Sequence, residues 1–91
     1  MYRLLWKKQA RADLLSIVRR IAKDNPDAAE KLAGEIEKQA DLLRENPMLF
    51  RAGRKRGTRE LVAHENYIVI YRVSPDEVEI LRVKHVAQQW P

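Results

Sequence analysis

The sequence contains no cysteine, so it can form neither a disulfide scaffold nor a metal site with thiolate ligands. Only His64 and His85 could bind a metal through imidazole, and we therefore expect no structural metal. The three glycines are scattered and form neither G-x-G-x-x-G nor G-x-x-x-x-G-K-S/T, the loops that hold nucleotide phosphates. The sequence therefore predicts a protein without a cofactor.

Long apolar runs are also lacking. No segment approaches the roughly 18 residues that a membrane-spanning helix needs. The opening stretch MYRLLWKKQARADLL has neither the uninterrupted apolar segment nor the small-residue cleavage site of a signal peptide. These features predict a cytoplasmic protein with no membrane partner.

Charge is abundant and unbalanced. The chain carries 18 Lys and Arg residues against 13 Asp and Glu, a net charge of +5 on 91 residues. A chain of this length can build one compact core, so we expect a single domain over residues 1–91. Its positive excess favours an anionic partner, either nucleic acid or an acidic protein.

Two amphipathic helices are predicted after a short strand at residues 2–6. Within residues 8–23 the apolar side chains recur at helical spacing and form one stripe: Ala10, Leu14, Ile17, Val18 and Ile21. Pro26 ends this helix, while Asn25 suits the N-cap of the next one. The second helix runs to RENP at residues 44–47, and the short link makes the two helices an antiparallel hairpin.

The rest of the chain has the pattern of strands. TRELVAH and YIVIYRV, joined by Glu65 and Asn66, are typical of a hairpin, and the turn SPDE returns the chain as VEILRVKH. A further short strand is expected near residues 50–56. The order β-α-α-β-β-β predicts an α+β fold in which the helical hairpin covers one face of a small antiparallel sheet. The opposite face is expected to be half open.

Alternation along the last strand predicts which of its charges reach that open face. One set of alternating residues is Ile80, Arg82 and Lys84, and the other is Leu81, Val83 and His85. If Leu81 and Val83 face the helices, the open face receives Arg82 and Lys84 beside the cations of the preceding basic stretch: Arg51, Arg54, Lys55, Arg56 and Arg59. A slip of one residue in register would exchange the two sets.

This basic surface has two interpretations from the residues alone. Solvated Lys and Arg side chains are common protectors of a sheet edge. Alternatively, the same side chains form a groove that binds phosphates or an acidic peptide. Trp90, near the C-terminus, is expected either to anchor the tail by packing or to stack on a base.

A catalytic interpretation is also open. Cleavage of RNA by its 2′-hydroxyl needs a base, an acid and cations that stabilise the phosphorane. The candidates for proton transfer are His64, His85 and Glu60, and those for charge stabilisation are Arg59 and Arg82. Against this, a single histidine at a strand end more often makes a structural hydrogen bond than acts as a general base.

The chain as a whole resembles the RelE/ParE superfamily, the toxins of type II toxin-antitoxin modules. The segments that carry the resemblance, over residues 2–90, are A..DL..I in the first helix, ENP after the second, R.L....YIV.YRV in the hairpin and ILRVKH in the last strand. The resemblance implies the α+β fold described above. It also implies a cognate antitoxin as partner, growth inhibition as the outcome and a role in plasmid stabilization.

Two activities follow from the resemblance. RelE-like members cut mRNA in the ribosome, and here Arg59, Arg82 and His85 could serve as the catalytic set of such a metal-independent mRNA interferase. ParE-like members instead inhibit DNA gyrase. The tail VAQQWP offers no tyrosine or second histidine as the acid, and ILRVKH is similar to the ParE-like ending RVLH, so the ParE-like activity is favoured. A third alternative is an inactive homologue retained for its complex with an antitoxin.

Overall fold

The computed structural model describes all residues from Met1 to Pro91. The chain folds into two helices and five strands, with β1 at Arg3–Trp6, α1 at Lys8–Ala22, α2 at Pro26–Leu42, β2 at Arg51–Ala52, β3 at Arg59–His64, β4 at Tyr67–Val73 and β5 at Glu77–His85. The predicted α+β class and the order of the elements are confirmed. Neither helix is long and apolar enough to cross a membrane.

A three-residue link reverses the chain between α1 and α2. Asn25 is the N-cap of α2, and its Oδ1 accepts a hydrogen bond from the N–H of Ala28 at 3.1 Å. This bond satisfies one of the free amide groups of the first turn. Pro26 occupies the first helical position, where its missing N–H costs nothing. The residues buried by the two helices form one stripe on each: Ala10 and Ile17 on α1, and Ala29, Leu32, Ile36 and Ala40 on α2.

The sheet is mixed, which corrects the expected antiparallel sheet. Its strand order is β1-β5-β4-β3-β2, and β1 pairs with β5 in parallel from Arg3 opposite Glu77 to Trp6 opposite Ile80. The turn signals in the sequence define only the local hairpins β3-β4 and β4-β5. The direction of β1 depends on the path of the chain through both helices, and no local pattern reports that path.

A β-bulge in β5 corrects the predicted alternation. Ile70 pairs with Arg82, whereas the next residue of β4, Tyr71, pairs with Ile80, so Leu81 is the extra residue. An inserted residue changes which face the following side chains occupy. Ile80 therefore lies in the core on the helix side, and Val83 returns to that same core beyond the bulge.

The face of the sheet away from the helices is closed at its centre. Ile68 and Ile70 lie outside the core cluster that the helices cover, yet their exposed fractions are only 1% and 0%. On this face Glu60 and Arg82 lie directly opposite Ile70 on the two neighbouring strands. The predicted half-open surface is therefore wrong for the middle of the sheet.

Candidate functional site

Arg82, predicted as part of a nuclease site, is bound to the first helix. Its Nε lies 2.7 Å from Oδ2 of Asp13, and its Nη2 lies 2.9 Å from Oδ1. The same Oδ2 accepts the N–H of Val83 at 3.0 Å. A bidentate pair holds the guanidinium plane in one orientation. The charge of Arg82 is therefore matched by a carboxylate of the protein itself.

The two partners stabilise each other's charged form. Burial on its own would raise the pKa of the Asp13 carboxyl, but hydrogen bonds from the Arg82 side chain and the Val83 backbone outweigh it and lower the pKa. The hydrogen bond to Asp13 raises the pKa of the Arg82 guanidinium. At neutral pH both groups therefore stay ionised.

Glu60 gathers the first part of the basic stretch. Its carboxylate is almost fully buried, with an exposed fraction of 2%, and lies 3.1 Å from Nη2 of Arg51 and 3.8 Å from Nε of Arg54. Glu60 also accepts the backbone N–H of Arg54 at 3.1 Å. Two of the predicted binding cations thus share one buried carboxylate, while their own side chains remain about half exposed.

Arg59 supports the loop that follows α2. Its Nη1 donates to the carbonyl of Phe50 at 2.8 Å and to that of Met48 at 3.3 Å. The neighbouring Tyr71 hydroxyl donates to the carbonyl of Pro47 at 2.6 Å. Burial raises the pKa of Tyr71 to about 12, although the nearby charge of Arg59 acts against this shift. The position of Arg59 is therefore explained by its structural contacts.

The predicted cations are distributed over several elements of the fold. Arg59 and Arg82 lie on strands separated by β4, a distance of about 10 Å between strand axes. Lys84 lies opposite Ile68 and is half-buried. Lys55 and Arg56 are exposed in the turn between β2 and β3 and belong to no ion pair of the structure.

His85 lies in a small aromatic cluster at the end of the sheet. The ring of Tyr67 stacks edge-on against His85 at a centroid distance of 5.2 Å and lies 6.2 Å from His64 on its other side. Each histidine accepts a backbone N–H through Nδ1, from Ala87 in one case and Asn66 in the other. No group of three or more His, Cys, Asp or Glu side chains is placed to hold a metal ion.

Trp90 packs against the protein. The indole Nε1 is buried and has no hydrogen-bond partner, while the whole residue is half-buried. The tail before it is held by Val86, which donates to the carbonyl of Asn66 at 2.8 Å, and by Gln88, which accepts the N–H of His85 at 2.7 Å. This environment is that of a packing anchor.

A cleft between the helices, above β1, was not anticipated from the sequence. It has a volume of about 670 Å³ and an apolar floor that includes Leu4 and Trp6 of β1 and Leu14, Leu15 and Val18 of α1. Charged side chains of both signs form its rim: Arg11, Glu37, Lys38 and Asp41. The only sequence signal for this cleft was Leu15, an apolar residue outside the predicted stripe of α1, whose exposed fraction is 49%.

The same cleft borders an unpaired strand edge. Arg3 and Lys7 donate their N–H groups to carbonyls of the β5 side, namely Asp76 and Ile80. Successive residues of a strand point their N–H groups to opposite sides, so the N–H groups of Leu4 and Trp6 point away from β5. No strand pairs with β1 on that side. An extended segment of a partner could therefore add to β1 while its side chains fill the cleft.

The arrangement of a strand, a helical hairpin and a bent mixed sheet is that of a small toxin of the RelE/ParE superfamily. The family model described as "ParE toxin of type II toxin-antitoxin system, parDE" matches residues 4–90. The protein Y4kP of Sinorhizobium fredii is 47% identical over 90 residues, which cover 98% of this chain and 93% of that protein. Toxin RelE2 of Caulobacter vibrioides is 34% identical over 88 residues, which cover 97% of this chain and 99% of that toxin.

A solved structure gives the same result. The chromosomal ParDE toxin-antitoxin system from P. aeruginosa contains a chain that superposes with a TM-score of 0.86 at 29% identity, and the match covers 94% of this chain and 97% of that one. The resemblance seen in the sequence is therefore confirmed. The chain belongs to the ParE toxin family of type II toxin-antitoxin systems.

Proposed function

We propose that this toxin arrests growth by inhibiting DNA gyrase in the cytoplasm and that a cognate antitoxin neutralises it. The match to the ParE family model over residues 4–90 supports this target. So does the similarity to the ParDE system of P. aeruginosa, at a TM-score of 0.86. In this proposal the toxin acts by binding gyrase and does not cleave RNA.

One observation carries the choice of gyrase over mRNA. The residues that a metal-independent nuclease would need are held apart and engaged by the protein itself. Arg82 is paired with Asp13, and Arg59 donates to the carbonyls of the loop after α2. Stabilising a phosphorane requires preorganised donors aimed at one point. Arg82 already directs two of its nitrogen atoms to Asp13, and Arg59 directs Nη1 to the loop.

The gyrase proposal is tested by inducing the chain alone in cells. Pulse labelling of DNA and protein should show DNA synthesis stopping before translation, and purified toxin should inhibit supercoiling of relaxed plasmid by gyrase. His85→Ala should retain this inhibition because no proton transfer is involved. If translation stops first and the message is found truncated, the target assignment is wrong.

An mRNA endonuclease is the second candidate. It is favoured by the 34% identity to Toxin RelE2 and by His85, whose Nδ1 accepts a hydrogen bond and whose Nε2 is left to carry the proton. In this case ribosomes programmed with mRNA yield cut message on incubation with the toxin. His85→Ala should then abolish cleavage while the melting temperature stays close to that of the wild type.

We further propose that the antitoxin docks in the cleft above β1. The apolar floor and the free backbone groups of Leu4 and Trp6 support an extended segment with apolar side chains as the occupant. Leu15→Glu should abolish neutralisation by the co-expressed antitoxin of the module without affecting toxicity. Leu42→Glu is the matched control, because Leu42 is similarly exposed on α2 but does not line the cleft. Equal neutralisation of both variants would exclude the cleft.

A further inference from the structure

The largest group of cations outside the ion pairs lies on and next to α1, whereas the basic stretch keeps only Lys55 and Arg56 both exposed and unpaired. Seven ion pairs occur, and the arginines in them are Arg3, Arg44, Arg51, Arg54, Arg72 and Arg82. None of these cations belongs to α1. Several cations of the strands therefore have a carboxylate partner within the chain, whereas the cations of the first helix have none.

The charge of the segment around α1 equals that of the whole molecule. Residues 7–23 contain six Lys and Arg residues and a single carboxylate, so their net charge of +5 is the net charge of the complete chain. The carboxylate is Asp13, which is turned to Arg82 on β5. The rest of the protein is neutral as a sum, although it includes the exposed Lys55 and Arg56 of the turn between β2 and β3.

The cations of α1 project from the outward half of the helix. Its core stripe contains Ala10 and Ile17, and about 100° per residue spreads the five exposed cations over the remaining half of the helix: Lys8, Arg11, Arg19 and Arg20 of α1, with Lys23 directly after it. We call these five residues the α1 cationic face. They extend over about 22 Å at 1.5 Å per residue. Between them lie the small exposed residues Ala12 and Ser16, which allow close approach.

A groove at the C-terminal half of this face adds shape to the charge. It has a volume of about 730 Å³ and is lined by Arg19, Arg20 and Lys23 together with Ala12, Leu15, Ser16 and Gln88. Gln88 belongs to the tail after β5, so two separate parts of the chain form the groove. Five of its seven lining residues are polar or cationic.

We propose that the α1 cationic face binds the phosphate backbone of nucleic acid without reading its sequence. Duplex DNA presents about one negative charge per 1.7 Å of its axis, and Lys and Arg that neutralise phosphates supply most of the non-specific affinity. An acidic protein partner would also need apolar or aromatic anchors at the centre of the interface. Here Leu15 is the only large apolar side chain beside the groove. The composition therefore favours phosphates.

This surface lies beside the cleft above β1, and the proposal does not depend on which target the toxin has. Of the five cations, Arg11 alone lies on the rim of the cleft as well, and Leu15 lines both the cleft and the groove. The surface would keep the toxin close to DNA or ribosomal RNA while another surface recognises the target. Its loss should therefore weaken nucleic-acid binding without removing the capacity to bind the antitoxin.

Fluorescence anisotropy with a labelled duplex of arbitrary sequence tests the proposal, with an RNA of the same length in parallel. Each phosphate contact contributes about 0.9 to the salt slope for duplex DNA, so three or four contacts weaken binding on the order of 100-fold between about 50 and 200 mM salt. Equal binding to unrelated sequences is expected. Comparing the DNA and RNA titrations decides which nucleic acid is preferred.

The decisive variants are two double charge reversals of equal size. Arg19→Glu with Arg20→Glu changes the α1 cationic face, whereas Lys31→Glu with Lys38→Glu changes exposed cations of α2. We expect the first to weaken DNA binding at least 10-fold and to lower the salt slope by about 2, and the second to have less than a 3-fold effect. Arg19→Gln with Arg20→Gln gives the same test if the reversed variant does not fold.

Three results would overturn the proposal. One is the absence of binding to either nucleic acid at the lower salt concentration. Another is an equal loss of affinity in the α1 and α2 variants, which would mean that only net charge matters. The third is tighter binding of a poly-glutamate peptide than of the duplex, which would make the surface a site for acidic protein. None of these results depends on whether gyrase is the target.

Discussion

Asp13 on α1 binds both the side chain of Arg82 and the backbone of the residue that follows it in β5. The two guanidinium contacts measure 2.7 and 2.9 Å, and the backbone N–H of Val83 lies 3.0 Å from the same carboxylate. The pairing of β1 with β5 ends at Ile80. Asp13 therefore accepts the N–H of Val83 on the part of the β5 edge that β1 does not reach. At the same time its carboxylate pairs with Arg82, which was predicted to stabilise a phosphorane.

Asp13→Asn should destabilise the fold by about 2 kcal/mol, the usual size of a hydrogen bond to a charged group. Asparagine can still accept from Val83 but no longer balances the charge of Arg82. Urea denaturation measures the change in the free energy of unfolding. Asp24→Asn serves as the control, because Asp24 is exposed between the helices and makes no ion pair.

The acid dependence of stability has the same origin. The pKa of Asp13 is lowered in the folded protein, so its contribution is present above the unfolded value and is lost as the pH falls through the folded value. We expect the wild type to lose stability relative to Asp13→Asn as the pH falls below about 4. A constant difference between the two proteins from pH 7 to pH 2 would contradict this explanation.

Tyr71→Phe tests how the stability of the fold depends on pH in the alkaline range. Because burial raises the pKa of Tyr71 to about 12, the folded state binds the phenolic proton more tightly than the unfolded state does. Stability from this group is thus full below about pH 10 and is lost as the pH rises through the folded value. The difference in unfolding free energy between wild type and Tyr71→Phe should shrink over that interval. At neutral pH the variant should lose about 1 kcal/mol with the hydrogen bond to Pro47.

Glu60→Ala should loosen the basic stretch. The two arginines that share the buried carboxylate lose their partner, and the fold should lose about 2 kcal/mol. Trypsin is a direct probe, since cleavage after Arg54, Lys55 and Arg56 should become faster and can be mapped by mass spectrometry. Glu65→Ala in the β3-β4 turn should leave the cleavage pattern unchanged. If both variants are cut at the same rate, Glu60 does not organise this loop.

Gly34→Ala should stabilise the protein by about 1 kcal/mol, the difference in helix propensity between the two residues. Gly34 is exposed on α2, and an added Cβ would meet nothing within 4 Å. Gly57→Ala should instead destabilise the protein, because Gly57 adopts a φ of +82°, which is unfavourable for an L-residue with a side chain. Thermal unfolding of the two variants measures both effects.

Local signals in the sequence were sufficient for most of the secondary structure. Asn25 and Pro26 placed the start of α2 at the residue where it occurs, and Glu65 with Asn66 placed the β3-β4 turn. These assignments succeed because caps and turns are decided by backbone geometry within a few residues. Motifs in the helices and strands carry the resemblance to the toxin superfamily, which the family model and the relatives confirm.

The candidate site was less accessible to sequence reasoning. A period of two cannot reveal that Leu81 is the extra residue of a bulge, so Ile80 was assigned to the wrong face. Charge counting likewise cannot tell that Arg51 and Arg54 share Glu60 or that Arg82 finds Asp13, a partner 69 residues away. Such pairings depend on contacts between elements distant in the chain.

The amino-acid sequence by itself determined the helices, the hairpins, the excess of positive charge and the superfamily, because each of these depends on local geometry or on composition. Tertiary structure alone decided the parallel placement of β1 and which cations remain free. Only the folded chain brings Asp13 to β5 and Glu60 to the basic stretch, where carboxylates neutralise nearby arginines by Coulomb attraction at short range. The exposed cations that belong to no ion pair are consequently most numerous along α1, and smaller groups remain on α2 and in the turn between β2 and β3.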